Sequence, residues 1–341
     1  MKGIAGNIFE TIGNTPLLRL NRVTRGLKTE IVAKLEYFNP SGSLKDRILF
    51  RMVEAAEQEG KLKQGMTIIE GTTGNTGIAT AMTAAAKGYP CIIVMPEGMS
   101  KERHKTVQAY GARLVLTPGG ESDVDLVLEK VQEIMASAPG KYWRAGQFDN
   151  PQNPQAHYLT TGPEIWEQTS GQLDTIVASQ GTGGIISGTS RFLREKNKNL
   201  KVFAVEPAEC PLLAKRTWGP HLIEGIGDGF IPRVLDVSIL SGIVLTTSQE
   251  AIDMAKRLAR EEGVFCGISS GCNVAAAIKV AKKHPELKRI VTIIPDNGLR
   301  YFSTELCGEE VHLDVPERGH PIDEHTLKLL DKYQKSWEII E

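Results

Sequence analysis

Three short stretches carry groups that could do chemistry together. The first is Asn39-Pro40-Ser41-Gly42-Ser43-Leu44-Lys45-Asp46-Arg47. Pro40 and Gly42 stop the apolar run before them, and a helix is expected from about Ser43. A lysine in the first turn of a helix sits at the positive end of the dipole, which disfavours its charged form. A neutral amine is what a Schiff-base lysine must supply. Taken alone, Lys45 has a plainer reading as a solvated lysine at a helix start.

The second stretch is Glu70-Gly71-Thr72-Thr73-Gly74-Asn75-Thr76-Gly77. It offers hydroxyls, an amide and backbone N–H groups at a helix N-terminus, a combination suited to a carboxylate. The plain alternative is a glycine-rich connection with Thr76 as N-cap, but three glycines and three threonines in seven residues exceed what a cap requires. The third stretch is Ser179-Gln180-Gly181-Thr182-Gly183-Gly184-Ile185. Glycines here let N–H groups converge on a phosphate at a helix start. A dinucleotide site is the competing reading, with Glu206 as the ribose-binding acid, although Ile186 stands where G-x-G-x-x-G needs its last glycine. Together, a lysine amine, a carboxylate cradle and a phosphate cradle are the parts needed to hold a phosphorylated aldehyde and an amino acid.

The surrounding sequence supplies elements to position these turns. Short β-branched runs are expected as strands over 30–35, 67–70, 91–95, 113–116, 175–178, 201–205 and 289–294. Amphipathic segments at 45–59, 77–87, 101–110, 124–136, 185–196, 248–262 and 273–283 lie between them. This alternation predicts an α/β fold of mostly parallel twisted sheets flanked by helices, with ligands beyond the carboxyl ends of the strands. All three turns lie at strand-to-helix junctions.

Composition narrows the function. Lys and Arg total 40 against 41 Asp and Glu, which argues against a nucleic-acid binder. The five cysteines are dispersed, without a C-x-x-C pair, which suits a reducing compartment, and neither they nor the scattered histidines have metal-ligand spacing. No apolar run of signal-peptide length precedes Glu10, and no stretch approaches the roughly 18 to 20 apolar residues that span a bilayer. A soluble, cytoplasmic protein with no membrane partner is expected.

These motifs, in this order, resemble the fold type II pyridoxal 5′-phosphate (PLP) enzymes, and within them the cysteine synthase and cystathionine β-synthase group. The likeness runs from Ile12-Gly13-Asn14-Thr15-Pro16-Leu17 to Arg300-Tyr301-Phe302-Ser303-Thr304 and includes Gln147-Phe148-Asp149-Asn150-Pro151 and Gly267-Ile268-Ser269-Ser270-Gly271. The resemblance implies that Lys45 holds PLP as a Schiff base and takes up the substrate α-proton. By the same likeness, Asn75 bonds the phenolic oxygen of PLP and Gly181, Thr182, Gly183 and Gly184 hold its phosphate. Thr72, Thr73, Gly74, Thr76 and Gln147 bind the substrate α-carboxylate. The implied reaction is β-replacement on an activated serine through an α-aminoacrylate, foremost O-acetylserine plus sulfide giving L-cysteine. Cystathionine β-synthase-like, cysteine β-lyase, lanthionine- or diaminopropionate-type chemistry are the siblings, and a nicotinamide-dependent oxidoreductase is the alternative from another class.

Four positions depart from the family pattern. Thr73 replaces a serine and Ile185 a threonine. Asn297 aligns with the serine expected beside the pyridine nitrogen, with Asp296 next to it as the other contender. Asp228 stands where alanine is common; it is either a turn residue or a carboxylate facing the leaving group or nucleophile. The expected organisation is a smaller lobe at 41–148 with a mobile substrate loop, a larger PLP-binding lobe from 1–40 and 149–315, and a C-terminal appendage at 316–341. The family also implies a homodimer acting on small-molecule amino acids.

Overall fold

The computed structural model describes residues 3–121, 123–308 and 321–341, and the expected boundary at 315/316 lies outside them. Eleven strands are described: β1 Leu17–Arg19, β2 Glu30–Leu35, β3 Thr67–Gly71, β4 Cys91–Pro96, β5 Arg113–Thr117, β6 Tyr142–Arg144, β7 Thr175–Ser179, β8 Lys201–Pro207, β9 Gly242–Thr246, β10 Arg289–Ile294 and β11 Glu338–Ile340. They form a seven-stranded sheet in the order β1-β2-β10-β7-β8-β9-β11 and a four-stranded sheet in the order β5-β4-β3-β6. Every pairing is parallel except β1 with β2. Parallel neighbours need crossovers. Helices α1 Lys45–Gln58, α2 Asn75–Lys87, α3 Lys101–Ala109, α4 Val124–Ser137, α5 Gln152–Leu159, α6 Thr161–Gln168, α7 Gly184–Lys196, the single turn α8 Leu212–Lys215, α9 Ser248–Arg257, α10 Ile268–Lys283 and α11 Glu324–Tyr333 lie along those connections and after them.

The strands read as continuous apolar runs because both faces of each sheet are covered. On the large sheet, Ile31, Ala33, Val177 and Phe203 pack toward α9 and α10. Their neighbours Val32, Ile176 and Val202 pack toward α6, α7 and α11. On the small sheet, Ile68 and Ile93 face α1, α2 and α3, while Ile69 and Val94 face α4.

The seven expected strands are all present, each extended by no more than two residues. Four others escape the sequence reading. Strands β1, β6 and β11 are three-residue edge strands, too short to show a period, whereas β9 is a buried apolar run whose signal is present in Ile243-Val244-Leu245. Helices α5 and α6 contain Pro154 and Pro163, and α6 also contains Gly162, which lowers their local propensity. They form through packing. Gly188 of α7 lies against the backbone of Pro154, and Gly162 of α6 lies against the Phe192 ring, so a Cβ at either glycine would collide. Within the described residues 321–341, β11 pairs with β9 at the edge of the large sheet.

One buried charge cluster fixes where α1 begins. Arg47 donates from Nε and Nη2 to both oxygens of Glu36 (2.7 and 2.9 Å) and from Nη1 and Nη2 to both oxygens of Glu164 (2.6 and 2.8 Å). Lys34 donates to the Thr15 carbonyl (2.6 Å) and pairs with Glu164 (2.7 Å), and Thr15 donates to Glu36 (2.7 Å). The G-N-T-P segment is thus an anchor for α1 and for β2. Replacing Arg47 by Ala leaves the buried Glu36 without its ion-pair partner and Glu164 with Lys34 alone; a loss of about 3–5 kcal/mol in denaturant unfolding is expected. Burial works against ionisation of Glu164, but the hydrogen bonds and charge of Arg47, with Lys34 behind them, outweigh it and hold its carboxyl at about 2. Because that value is depressed in the folded protein, the stabilisation is present above the ordinary carboxyl range and is lost as pH falls from there toward 2. The unfolding midpoint of Glu164→Gln should lose this part of the acid dependence.

Candidate active site

The three turns meet in one cavity lined by residues of both sheets' connections, among them Lys45, Thr72–Thr76, Gln147, Gly181–Gly183 and Asp228. Lys45 is placed by the turn between β2 and α1. Gly42 has φ +86, and a Cβ there would press on the Asn297 amide at 2.8 Å. Arg300 donates to the carbonyls of Ser41 and Gly42, and Leu44 N–H donates to the Pro295 carbonyl (3.0 Å), so this turn is stitched to the end of β10. Burial drives the Lys45 amine down to about 8, and the Asp228 and Asp296 carboxylates oppose that shift only in part. The helix start and the desolvated setting favour a neutral nucleophilic amine.

The threonine-rich loop expected to form the carboxylate cradle lies between β3 and α2. Thr76 Oγ1 donates to Gln147 Oε1 (2.5 Å), and Thr72 Oγ1 accepts from Gly74 N–H (3.0 Å). Gln147 is itself fixed, because the buried Glu70 accepts from the backbone N–H of Gly146 (2.8 Å) and of Gln147 (3.1 Å). Asn153 donates to the Gln147 carbonyl (2.8 Å) and to Thr182 Oγ1 (3.0 Å), which ties this cradle to the glycine loop.

The glycine loop leads from β7 into α7, with Gly183 at φ +78. A Cβ at Gly181 would strike the Gly225 carbonyl, and one at Gly184 would strike the Asn153 amide. The first turn of α7 contains no acidic residue. No side-chain charge there opposes the helix dipole, which favours an anion such as a phosphate. An amine, a phosphate cradle and a carboxylate cradle around one cavity fit PLP together with an amino acid.

Comparison with known proteins agrees. Residues 8–296 match the model of the family described as pyridoxal-phosphate dependent enzyme. The chain belongs to this family of PLP-dependent enzymes. It is 45% identical over 301 residues to a cysteine synthase of Staphylococcus aureus, covering 88% of this chain and 96% of that one. A cysteine synthase structure from Entamoeba histolytica superposes with a TM-score of 0.85 at 40% identity, covering 99% of this chain and 97% of that chain. A hydrogen sulfide-producing enzyme from Fusobacterium nucleatum superposes with a TM-score of 0.84 at 41% identity, covering 87% and 100%.

Within this PLP-enzyme site the structure corrects two expectations. Asn297 does not line the cavity; its Oδ1 accepts from Leu299 N–H (3.2 Å), capping the turn after β10. Asp296 is turned away too. Its Oδ2 accepts from Asn75 Nδ2 (2.7 Å) and from the Tyr301 hydroxyl (2.9 Å), so it orients Asn75. From this end of the sheet Ser269, at the start of α10, lines the cavity together with Asn273, Ile293 and Pro295. Glu206 is no ribose ligand, because its two oxygens accept from the backbone N–H groups of Leu213 (2.8 Å) and Ala214 (3.1 Å) and so anchor α8. That removes the support for a nicotinamide site.

Asp228 lines the cavity, and burial lifts its carboxyl to about 6 against the pull of Lys45. Sequence reading also missed Arg103 and Glu224, which pair with each other beside the carboxylate loop. Arg103 lies over Gly74, where a Cβ would be 2.5 Å from its Nε, and its guanidinium stacks on Tyr301 at 4.5 Å. No motif marks Arg103, since helix α3 reads as an ordinary charged helix. Ser269 was signalled by Gly267-Ile268-Ser269-Ser270-Gly271, a hydroxyl pair at a glycine-flanked helix start.

Gly181→Ala tests the glycine loop. The added methyl meets backbone rather than a flexible side-chain end, so the loop must shift by 1–3 kcal/mol worth of strain, in order of magnitude about 10- to 100-fold in PLP affinity. Equilibrium dialysis of the apoprotein against PLP measures this directly.

Proposed function

We propose that the chain catalyses β-replacement on an activated serine, foremost O-acetylserine with sulfide to give L-cysteine, as a cytoplasmic homodimer. The observation that carries this reading is the meeting of Lys45, the Thr72–Thr76 loop with Gln147, and Gly181–Gly183 of the glycine loop in one cavity. Similarity to the cysteine synthases supports the choice of donor and nucleophile. The exposed Phe265, Leu299 and Phe302 form an apolar surface suited to a partner subunit.

In this reading Lys45 would carry PLP, and Gly181, Thr182, Gly183 and Gly184 would hold its phosphate. Asn75, oriented by Asp296, would bond its phenolic oxygen. The ring nitrogen falls to Ser269, a neutral hydroxyl that does not favour a protonated ring. When bound, PLP draws off the electron pair left at the substrate Cα. Thr72, Thr73, Gly74, Thr76 and Gln147 would bind the α-carboxylate and so aim Cα at Lys45 Nζ. The Lys45 amine would then lie within reach of the α-proton, and its depressed basicity suits it to take that proton and later return it. The site holds the reacting carbon among buried side chains, which limits access of water.

Asp228 favours a second reading of the nucleophile. A carboxylate in the cavity repels hydrosulfide but can accept a proton from a thiol or amine, or deliver one to a departing thiol. Lanthionine-, cystathionine- or diaminopropionate-type replacement and cysteine β-lysis then become the natural reactions, and the similarity to a hydrogen sulfide-producing enzyme points the same way.

Product analysis separates these. The holoenzyme is supplied with O-acetylserine and sulfide, and separately with cysteine alone. Cysteine formed from the first mixture upholds the leading reading; sulfide released from cysteine with no cysteine formed from O-acetylserine replaces it with the second. Asp228→Asn should cut turnover with thiol or cysteine substrates about 10²- to 10⁴-fold if the carboxylate transfers a proton. Unchanged kinetics with every substrate assign Asp228 to the turn alone.

A further inference from the structure

Glu121 has no role in the groups assigned so far, yet it joins two loops that face each other across the cavity. Its Oε1 accepts from Thr73 Oγ1 (2.8 Å) on the carboxylate loop and from the backbone N–H of Gly225 (2.8 Å) on the loop leading to Asp228. The side chain is buried, and its other oxygen, Oε2, has no hydrogen-bond donor. The chain reaches this position just after β5, through a turn in which Gly119 has φ +96 and Asp123 accepts from Gly120 N–H (2.9 Å).

A threonine hydroxyl has one proton to donate. Thr73 therefore cannot serve Glu121 and a substrate carboxylate at the same time, and the two acceptors are the same chemical group. We propose that Glu121 is a positioning residue, an internal carboxyl group that holds the Thr73 hydroxyl and the Gly225 loop in place until the substrate α-carboxylate takes Thr73 from it. The inference rests on the reading of the Thr72–Thr76 loop as the carboxylate cradle.

The exchange has an electrostatic consequence. After it, Glu121 keeps only Gly225 and has a second carboxylate beside it. Glu224 and Asp228 already face it, and Arg103, whose charge it also feels, is paired with Glu224. Burial first, and then Glu224 and Asp228, lift the Glu121 carboxyl to about 8 before any substrate arrives. A bound carboxylate pushes in the same direction, so binding draws a proton onto Glu121. Below about 8 that proton is already in place; above it, binding must recruit the proton from solvent, and affinity falls as pH rises.

The test titrates the holoenzyme with L-alanine, which has the α-carboxylate and no β leaving group, following the visible band of the cofactor across the range around pH 8. Wild type is compared with Glu121→Gln, whose amide oxygen still accepts from both donors but cannot ionise. The ammonium of alanine and the remaining site groups titrate in both proteins, so the difference isolates Glu121. Above that pH, the wild-type dissociation constant should rise relative to the variant by up to about tenfold per pH unit. Superimposable pH profiles overturn the proposal, because a purely structural Glu121 leaves no proton to take up. Thr73→Val serves as the control on the underlying reading. If it weakens alanine binding while the Glu121 profiles superimpose, only the role of Glu121 fails. If it binds alanine as tightly as wild type, the carboxylate-cradle reading fails and the inference fails with it.

Discussion

Two carboxylates, the buried Glu36 and the half-buried Glu164, grip the guanidinium of Arg47, and the position of Lys45 depends on that grip. Glu36 follows directly on β2, Glu164 lies in α6, and Arg47 stands two residues beyond Lys45 in α1. A desolvated cation held by four hydrogen bonds to carboxylates and a fifth to the Thr15 hydroxyl has little freedom to shift, and Glu36 without it would be an unpaired buried charge. Helix α1 therefore starts in one place, and the Lys45 side chain opens on the cavity rather than on solvent. The Thr15 hydroxyl and carbonyl complete the cluster, which gives the opening G-N-T-P segment a structural reason to be near a site it does not touch.

From that fixed point, the site is assembled by polar links across loops. Asn153 joins Gln147 to Thr182, Asp296 joins Asn75 to Tyr301, and Arg103 presses on Gly74 while pairing with Glu224. Each link connects a loop of one sheet to a loop or helix elsewhere in the chain. Burial amplifies all of them, since hydrogen bonds and charges interact more strongly where water is excluded. The same burial sets the chemistry by lowering the basicity of Lys45 and raising the carboxyls of Asp228 and Glu121. A binding site with several carboxyls poised to gain or lose a proton near neutrality is one where substrate charge and protonation are coupled.

Much of the fold was legible because its signals are local. Fully buried parallel strands such as β2, β7 and β10 are short β-branched runs bounded by turn residues, and the helices between them carry a clear apolar stripe. What escaped was set by contacts. Strands β1, β6 and β11 are too short to carry a period and exist because a neighbour offers its edge. Helices α5 and α6 form despite Pro154, Gly162 and Pro163, since packing against α7 outweighs their local propensity. Of the site, Lys45, the threonine loop and the glycine loop could be read from residue type at strand-to-helix turns. Arg103, Glu121 and Glu224 could not, because nothing in their immediate sequence distinguishes them from solvated charges.

The positions of Asn297 and Asp296 mark the limit most clearly. Their place after β10 made both credible partners for a ring nitrogen, yet one caps the next turn and the other orients Asn75, while Ser269 enters the cavity from α10. Residue identity by itself determined the chemical inventory: an amine, hydroxyls, amides and glycines in an order that brings each to the end of a strand. Tertiary structure alone decided which charges share that cavity and which side chains turn away from it. A strand end fixes where the backbone goes to within a residue, whereas the direction of a polar side chain is settled by whichever buried partner satisfies it.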